Sequence, residues 1–119
     1  MYLRFVFAEA ESRTRRRVGI LRCQNWLRRR SVAAGEIFDW LNAHLPAPPA
    51  SAFSADRGLC WFKLEARDAI EKLRDLAIIH ERRGRRIWQI YSRNPGLITY
   101  EDDYQIVAVP EAARFPDRR

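Results

Sequence analysis

Residues 2–8 alternate between side chains of different polarity and are rich in aromatic and β-branched types, which predicts a strand over Tyr2–Ala8. The polar run Glu9–Thr14 follows, and Ser12 or Thr14 offers a helix cap. From Arg15 to Arg30 the period becomes helical. Ile20, Cys23 and Leu27 fall close together on that wheel and are expected to face the core. Ser31–Gly35 breaks the pattern. A second helix is expected over Glu36–Leu45, with Ile37, Phe38, Leu41 and Leu45 as its apolar stripe and Trp40 and His44 on its edge. Pro46 stops it, and residues 46–51 (Pro-Ala-Pro-Pro-Ala-Ser) read as a stiff connector too short to divide two domains.

The dense apolar run Leu59-Cys60-Trp61-Phe62 is either a short buried strand or the entrance to a helix. From about Leu64 to Arg83 the helical period is clear: Ala66, Ala69, Ile70, Leu73, Leu76, Ala77 and His80 form one stripe, and Gly84 is a stop signal. Arg67 with Glu71, and Asp68 with Lys72, have the spacing of helical ion pairs, so this surface largely neutralises itself. Ile87–Tyr91 reads as a strand and Asn94-Pro95-Gly96 as a turn. Leu97–Tyr100 and Tyr104–Val109 form a hairpin around Glu101-Asp102-Asp103, which Pro110 ends.

These elements predict one α+β domain over residues 1–110: a small, mostly antiparallel sheet with about three helices packed on one face. The N-terminal strand is expected to pair with the C-terminal strands, because an isolated hairpin is only marginally stable. Residues 111–119 are expected to be a frayed polar tail.

Length changes this picture little: 119 residues are enough to bury a true core without disulfides or metal. Charge changes it more. The formal net charge is +7 and the basic side is almost all arginine, Lys63 and Lys72 being the only lysines. Arginine suits bidentate contacts to phosphate or carboxylate, so the balance points to an anionic partner: nucleic acid, an acidic protein surface or a membrane surface. The competing reading is compositional, since a GC-rich genome favours arginine codons whatever the function. Cys23 and Cys60 are isolated, with neither zinc nor disulfide spacing. No apolar run reaches the ~18 residues of a membrane span. A cytoplasmic location is the expectation, and homo-oligomerisation is compatible with it.

From Trp40 to Pro110 the order of landmarks resembles a family of small uncharacterised bacterial proteins. The residues carrying the resemblance are Trp40-Leu41-Asn42, Leu45-Pro46-Ala47-Pro48, Cys60-Trp61-Phe62-Lys63, Pro95-Gly96, Tyr100-Glu101-Asp102-Asp103-Tyr104-Gln105 and Val107-Ala108-Val109-Pro110. The resemblance covers over half the chain and implies a style of fold, with no known activity. The arginine clusters at Arg15–Arg17, Arg28–Arg30 and Arg82–Arg86 lie outside its pattern.

Three groups of residues are candidates for function. On the first helix Arg15, Arg22 and Arg29 recur every seven positions beside Asn25 and Trp26, joined by Arg28 and Arg30. Guanidinium groups at that spacing can follow a phosphate backbone while an exposed Trp stacks on a base. The bland alternative is a solvated face with Trp26 in the core. A second cluster, Arg82, Arg83, Arg85 and Arg86, flanks Gly84, where the helix dipole alone favours cations. The third group, Trp61, Lys63, Tyr100, Glu101, Asp102, Tyr104 and Gln105, can line a polar pocket or partner patch. Its plainer reading is a hydrophilic turn beside core aromatics. Metal binding there is disfavoured, because adjacent strand residues point to opposite faces.

His44 and His80 are the only histidines, and His80 continues an apolar stripe. The chain has no P-loop, GxGxxG or HExxH motif, so no cofactor, metal or catalytic residue is expected. A non-enzymatic binding module for an anionic partner is the leading reading, with nucleic acid slightly favoured. The alternatives are a protein–protein accessory or inhibitor using Trp26, Trp40 and Trp88, and a small hydrolase or nuclease built on Lys63 and Glu101–Asp103. The decisive geometric question is whether the arginine clusters adjoin.

Overall fold

A computed structural model of the chain describes residues 1–10, 17–54 and 57–111. Among these residues six strands and three α-helices follow in the order β1 (Tyr2–Ala10), β2 (Arg17–Gly19), α1 (Gln24–Arg28), α2 (Val32–His44), β3 (Leu59–Lys63), α3 (Arg67–Arg82), β4 (Ile87–Ser92), β5 (Leu97–Glu101) and β6 (Gln105–Val109). Short 3-10 turns at Ile20–Cys23 and Ala50–Phe53 complete the path. The result is an α+β fold on one curled antiparallel sheet.

Strand β1 organises the sheet. One of its edges is filled along nearly its whole length by β4, from Tyr2 opposite Ser92 to Phe7 opposite Ile87. The other edge is shared. β2 pairs with it at Val6 and Ala10, and β3 pairs with it at Tyr2 and Leu3. Beyond β3 the sheet continues through β6 to β5. The N-terminal strand and the C-terminal hairpin thus share one sheet, but β3 stands between them. Its sequence makes it the better neighbour: Phe62 and Trp61 are both buried, which suits an interior strand.

Alternation in β1 directs Leu3, Phe5 and Phe7 to the helical side, where they pack with Leu27, Phe38, Leu41, Ile70, Leu73 and Leu76. A smaller cluster of Trp61, Ile106 and Ala108, with Tyr2, Leu59 and Ile90 against it, forms separately. Every residue of the predicted α3 stripe, from Ala66 to His80, is buried. Gly84 ends that helix at φ +84°, and the amide of Arg85 donates back to the carbonyl of His80 at 3.1 Å.

Two expectations need correction. The helix predicted over Arg15–Arg30 is instead a three-residue strand, a 3-10 turn and the short α1. Arg17–Gly19 adopts the extended form because the free edge of β1 offers it ladder hydrogen bonds, and tertiary pairing overrides a weak local period. Ile20 and Leu27 are nonetheless buried, as that period required. The second helix begins at Val32, four residues before the predicted start. Ser31 caps it, its hydroxyl accepting from the amide of Ala34 at 3.1 Å, and this offsets Gly35 in the first turn. Ser12, Thr14, Arg15 and the tail beyond Glu111 lie outside the described residues.

Candidate nucleic-acid interface

The short first helix sets Arg22, Asn25, Trp26 and Arg29 around one shallow surface depression. The heptad stripe is therefore real from Arg22 onward, although a turn and a helix build it jointly; Arg15 lies outside the described residues. Trp26 is half-buried, touching the core with one side and carrying the Arg30 guanidinium at 4.2 Å on its ring. Arg30 also donates to the Trp26 carbonyl at 2.9 Å, which holds its plane in place. Arg28 leaves the stripe: it is paired with Asp39 at 2.8 Å.

The second cluster reaches the first. Arg83, exposed at the end of α3, donates from Nη2 to the carbonyl of Arg30, 53 positions away in the chain. The ring of Phe7 carries the Arg85 guanidinium at 4.0 Å. The carbonyl of Arg86 accepts from the amide of Ala8 at 2.9 Å, and the carbonyl of Ala8 in turn accepts from Nε of Arg17 at 3.1 Å. Arg17 then lies over the ring of Trp88 at 4.0 Å. Arg22, Arg29 and Arg30 thus gather around Trp26, Arg83 joins Arg30, and Arg85, Arg86 and Arg17 gather around Phe7 and Ala8 of β1, which together make an arginine arc. Arg82 is exposed in the same last turn of α3.

Sequence reasoning missed Arg17 and Trp88 as members of this arc, because their stacking depends on β2 and β4 pairing with opposite edges of β1. Trp88 is exposed, and so is Tyr91 on the same strand. The arginine planes here are ordered by aromatic rings and backbone carbonyls, so less side-chain freedom is lost when an anion arrives.

The third candidate group also comes together, but as an internally satisfied turn. One carboxylate oxygen of Asp102 accepts from the amides of Tyr104 (2.8 Å) and Gln105 (3.0 Å); the other accepts from the Tyr100 hydroxyl at 2.7 Å and the Gln105 amide group at 3.2 Å. Partial burial raises the Asp102 carboxyl, yet these hydrogen bonds outweigh it and hold the group below its usual range. Gln105 reaches on to the carbonyl of Pro46 at 2.6 Å and accepts from the Cys60 thiol at 3.1 Å. Lys63 is paired with Glu101 at 2.6 Å, and that bond raises its ammonium above the ordinary value. Trp61 is buried beneath, in the second cluster. Apart from the Trp61 indole N–H, which is buried with no hydrogen-bond partner among the described residues, the bonds named here tie these groups to one another and to Pro46. Among the described residues no set of three or more His, Cys, Asp or Glu side chains is placed to hold a metal.

On α3, neither Arg67–Glu71 nor Asp68–Lys72 closes into an ion pair among the described residues; Lys72 lies instead over the ring of Trp40 at 5.6 Å. Trp40 is also stacked on His44, with centroids 4.1 Å apart, so it is committed within the helix layer. No helix among the described residues is long and apolar enough to cross a membrane. Compared with known proteins, the chain matches no family model, no curated protein and no solved structure.

Proposed function

We propose that the protein is a non-enzymatic binding module whose arginine arc meets an anionic partner, nucleic acid ahead of an acidic protein surface. The observation that carries this reading is the contact of Arg83 with the carbonyl of Arg30, which joins two clusters that the sequence separates. A cationic side chain held against its cationic neighbour's backbone concentrates positive potential, and that costs stability unless an anion relieves it. The arginine-stacked Trp26 and the exposed Trp88 favour a flexible single strand, whose bases can lie on aromatic and guanidinium planes.

The test is fluorescence anisotropy with labelled single-stranded DNA, single-stranded RNA and duplex DNA of mixed sequence, between about 50 and 200 mM salt. The expected result is affinity that falls steeply with salt. Undetectable binding of all three at low salt overturns the reading. The double variant Arg30→Glu with Arg83→Glu is expected to abolish the interaction, whereas Arg67→Glu with Arg74→Glu on the exposed face of α3 leaves most of it.

The exposed Trp88 on β4 favours one second reading, a partner protein docked at that strand. Binding that survives in 0.5 M salt and is lost in Trp88→Ser marks that case, because apolar contacts outlast screening at about that ionic strength.

A further inference from the structure

Strand β4 ends the sheet on one side, and the backbone groups it turns outward can be named. The amide of Ala8 donates to the carbonyl of Arg86, which continues the register of Phe7 opposite Ile87. Antiparallel partners alternate between residues that exchange both ladder bonds and residues that exchange neither. Arg86, Trp88, Ile90 and Ser92 therefore turn their backbone groups toward β1, and Ile87, Gln89 and Tyr91 turn theirs away. No strand among the described residues takes up that outer edge. Trp88, Gln89 and Tyr91 are exposed although they alternate between the two faces, so solvent reaches both sides of the strand. Natural edges are blunted by charge, proline or a bulge. The opposite terminal strand, β5, is blunted in this way: its register shifts between Ile98 and Tyr100, and the Thr99 hydroxyl is tied to the carbonyl of Ala52. In β4, by contrast, Ile87–Ser92 holds no charged residue and no proline, and its register with β1 is unbroken.

The ends of β4 decide what can pair with it. Arg85 and Arg86 precede the strand and Arg93 follows it, and all three are exposed. Were a second copy to pair about Gln89, Ile87 would face Tyr91 and Arg85 would face Arg93 at both ends; like charges set opposite one another are destabilising. A strand with carboxylates at its two ends and an uncharged, β-branched middle meets the arginines and completes the ladder. We propose that β4 receives an extended, acid-flanked segment of a partner protein as a further strand, about nine residues long so that it spans Arg85 to Arg93. The proposal rests on the second reading above and gives that partner a chemistry. Main-chain bonds to Ile87, Gln89 and Tyr91 supply the affinity, while the arginines select the partner and set its register.

The probe is the end-capped peptide Glu-Glu-Val-Thr-Val-Thr-Val-Glu-Glu, titrated calorimetrically into the full chain at about 50 mM salt. It is expected to bind at least about tenfold more tightly than the same peptide with Lys in place of Glu. The same margin is expected over a version N-methylated throughout its Val and Thr residues, which keeps the charges and removes the ladder donors. Amide exchange at Ile87, Gln89 and Tyr91 is expected to slow on binding. Gln89→Pro removes the central outward N–H and no bond to β1, so β4 keeps its place while peptide affinity falls at least about tenfold. The N-methylated peptide decides the matter whether or not that variant folds. Equal binding of the acidic and basic peptides, equal binding of the N-methylated one, or no binding at millimolar concentration overturns the proposal. So does a dimer of the chain in sedimentation that Gln89→Pro abolishes. Equal binding of the N-methylated peptide removes strand pairing alone and leaves docking on Trp88 standing, which Trp88→Ser tests without any peptide. Gln89 lies outside the arginine arc, so single-strand binding by Gln89→Pro is expected to be unchanged, and the nucleic-acid reading fails separately.

Discussion

The imidazole of His80 meets the ring of Phe7 edge-on, with centroids 4.9 Å apart and planes at 89°. His80 is fully buried, and neither ring nitrogen has a hydrogen-bond partner among the described residues. Burial first, then the nearby cations of Arg85 and Arg83, lower its basicity to a pKa of about 4 from the ordinary 6.5. The native ring is therefore neutral where the unfolded chain binds a proton. Stability is complete above pH 6.5 and is lost as pH falls from there to about 4, by about 3 kcal/mol in all. His80→Leu is expected to flatten that slope in urea melts at pH 4 to 7. It also removes two unpaired nitrogens, which adds about 1–3 kcal/mol at neutral pH.

Asp102 governs a separate acid window. Its carboxyl is held below the usual range by the donors of Tyr100, Tyr104 and Gln105, so its contribution is present above the unfolded value of 3.8 and lost as pH falls below it. Asp102→Ala leaves the amides of Tyr104 and Gln105 without their acceptor and is expected to cost about 1–3 kcal/mol. Glu101→Gln, which only loosens the exposed pair with Lys63, is expected to change stability by less than about 1 kcal/mol. Chemical denaturation of the two variants at pH 7 gives the comparison.

Two glycines with positive φ are expected to respond unequally to alanine. At Gly84, φ is +84° and nothing lies within 4 Å of a new Cβ, so Gly84→Ala costs only the left-handed strain of about 1–2 kcal/mol. At Gly96, φ is +127° and a Cβ would stand 2.1 Å from the carbonyl oxygen of Val109. Gly96→Ala must push β5 off β6, and its expected signature is a loss of well over 3 kcal/mol or failure to fold. Thermal melts distinguish the two outcomes.

The stacked pair Arg17 and Trp88 gives a sharper test of the arginine arc than net charge does. Trp88→Ala is expected to weaken single-strand binding by about 1–3 kcal/mol with little effect on its salt slope, since stacking releases no counterions. Arg17→Ala is expected to reduce the slope by about one unit. Anisotropy titrations at several salt concentrations separate these effects.

Where local pattern and tertiary environment agree, sequence and structure coincide. The α3 stripe from Ala66 to His80 is amphipathic at one period and docks one face, so each of its members is buried. The hairpin of β5 and β6 is set by Asn94-Pro95-Gly96 and by Asp102, which act within a few residues. Arg17–Gly19 and Val32–Gly35 were not legible, because the first depends on an edge that β1 presents and the second on one capping hydroxyl at Ser31. The candidate site divides the same way. Arg22, Asn25, Trp26 and Arg29 share a surface as their spacing predicted. The meeting of Arg30 with Arg83, and of Arg17 with Trp88, belongs to the packing of α3 and the register of β1, which no local period encodes.

The place of β1 in the sheet also shapes how the chain is made. β1 leaves the ribosome before every strand it pairs with, and its longest pairing, with β4, awaits Ile87–Ser92. Until then only the three-residue β2 and the end of β3, at Tyr2 and Leu3, can pair with it. Folding is therefore late and strongly non-local, with slow kinetics for its size, and nascent chains ending before residue 87 are expected to be the species that chaperones hold.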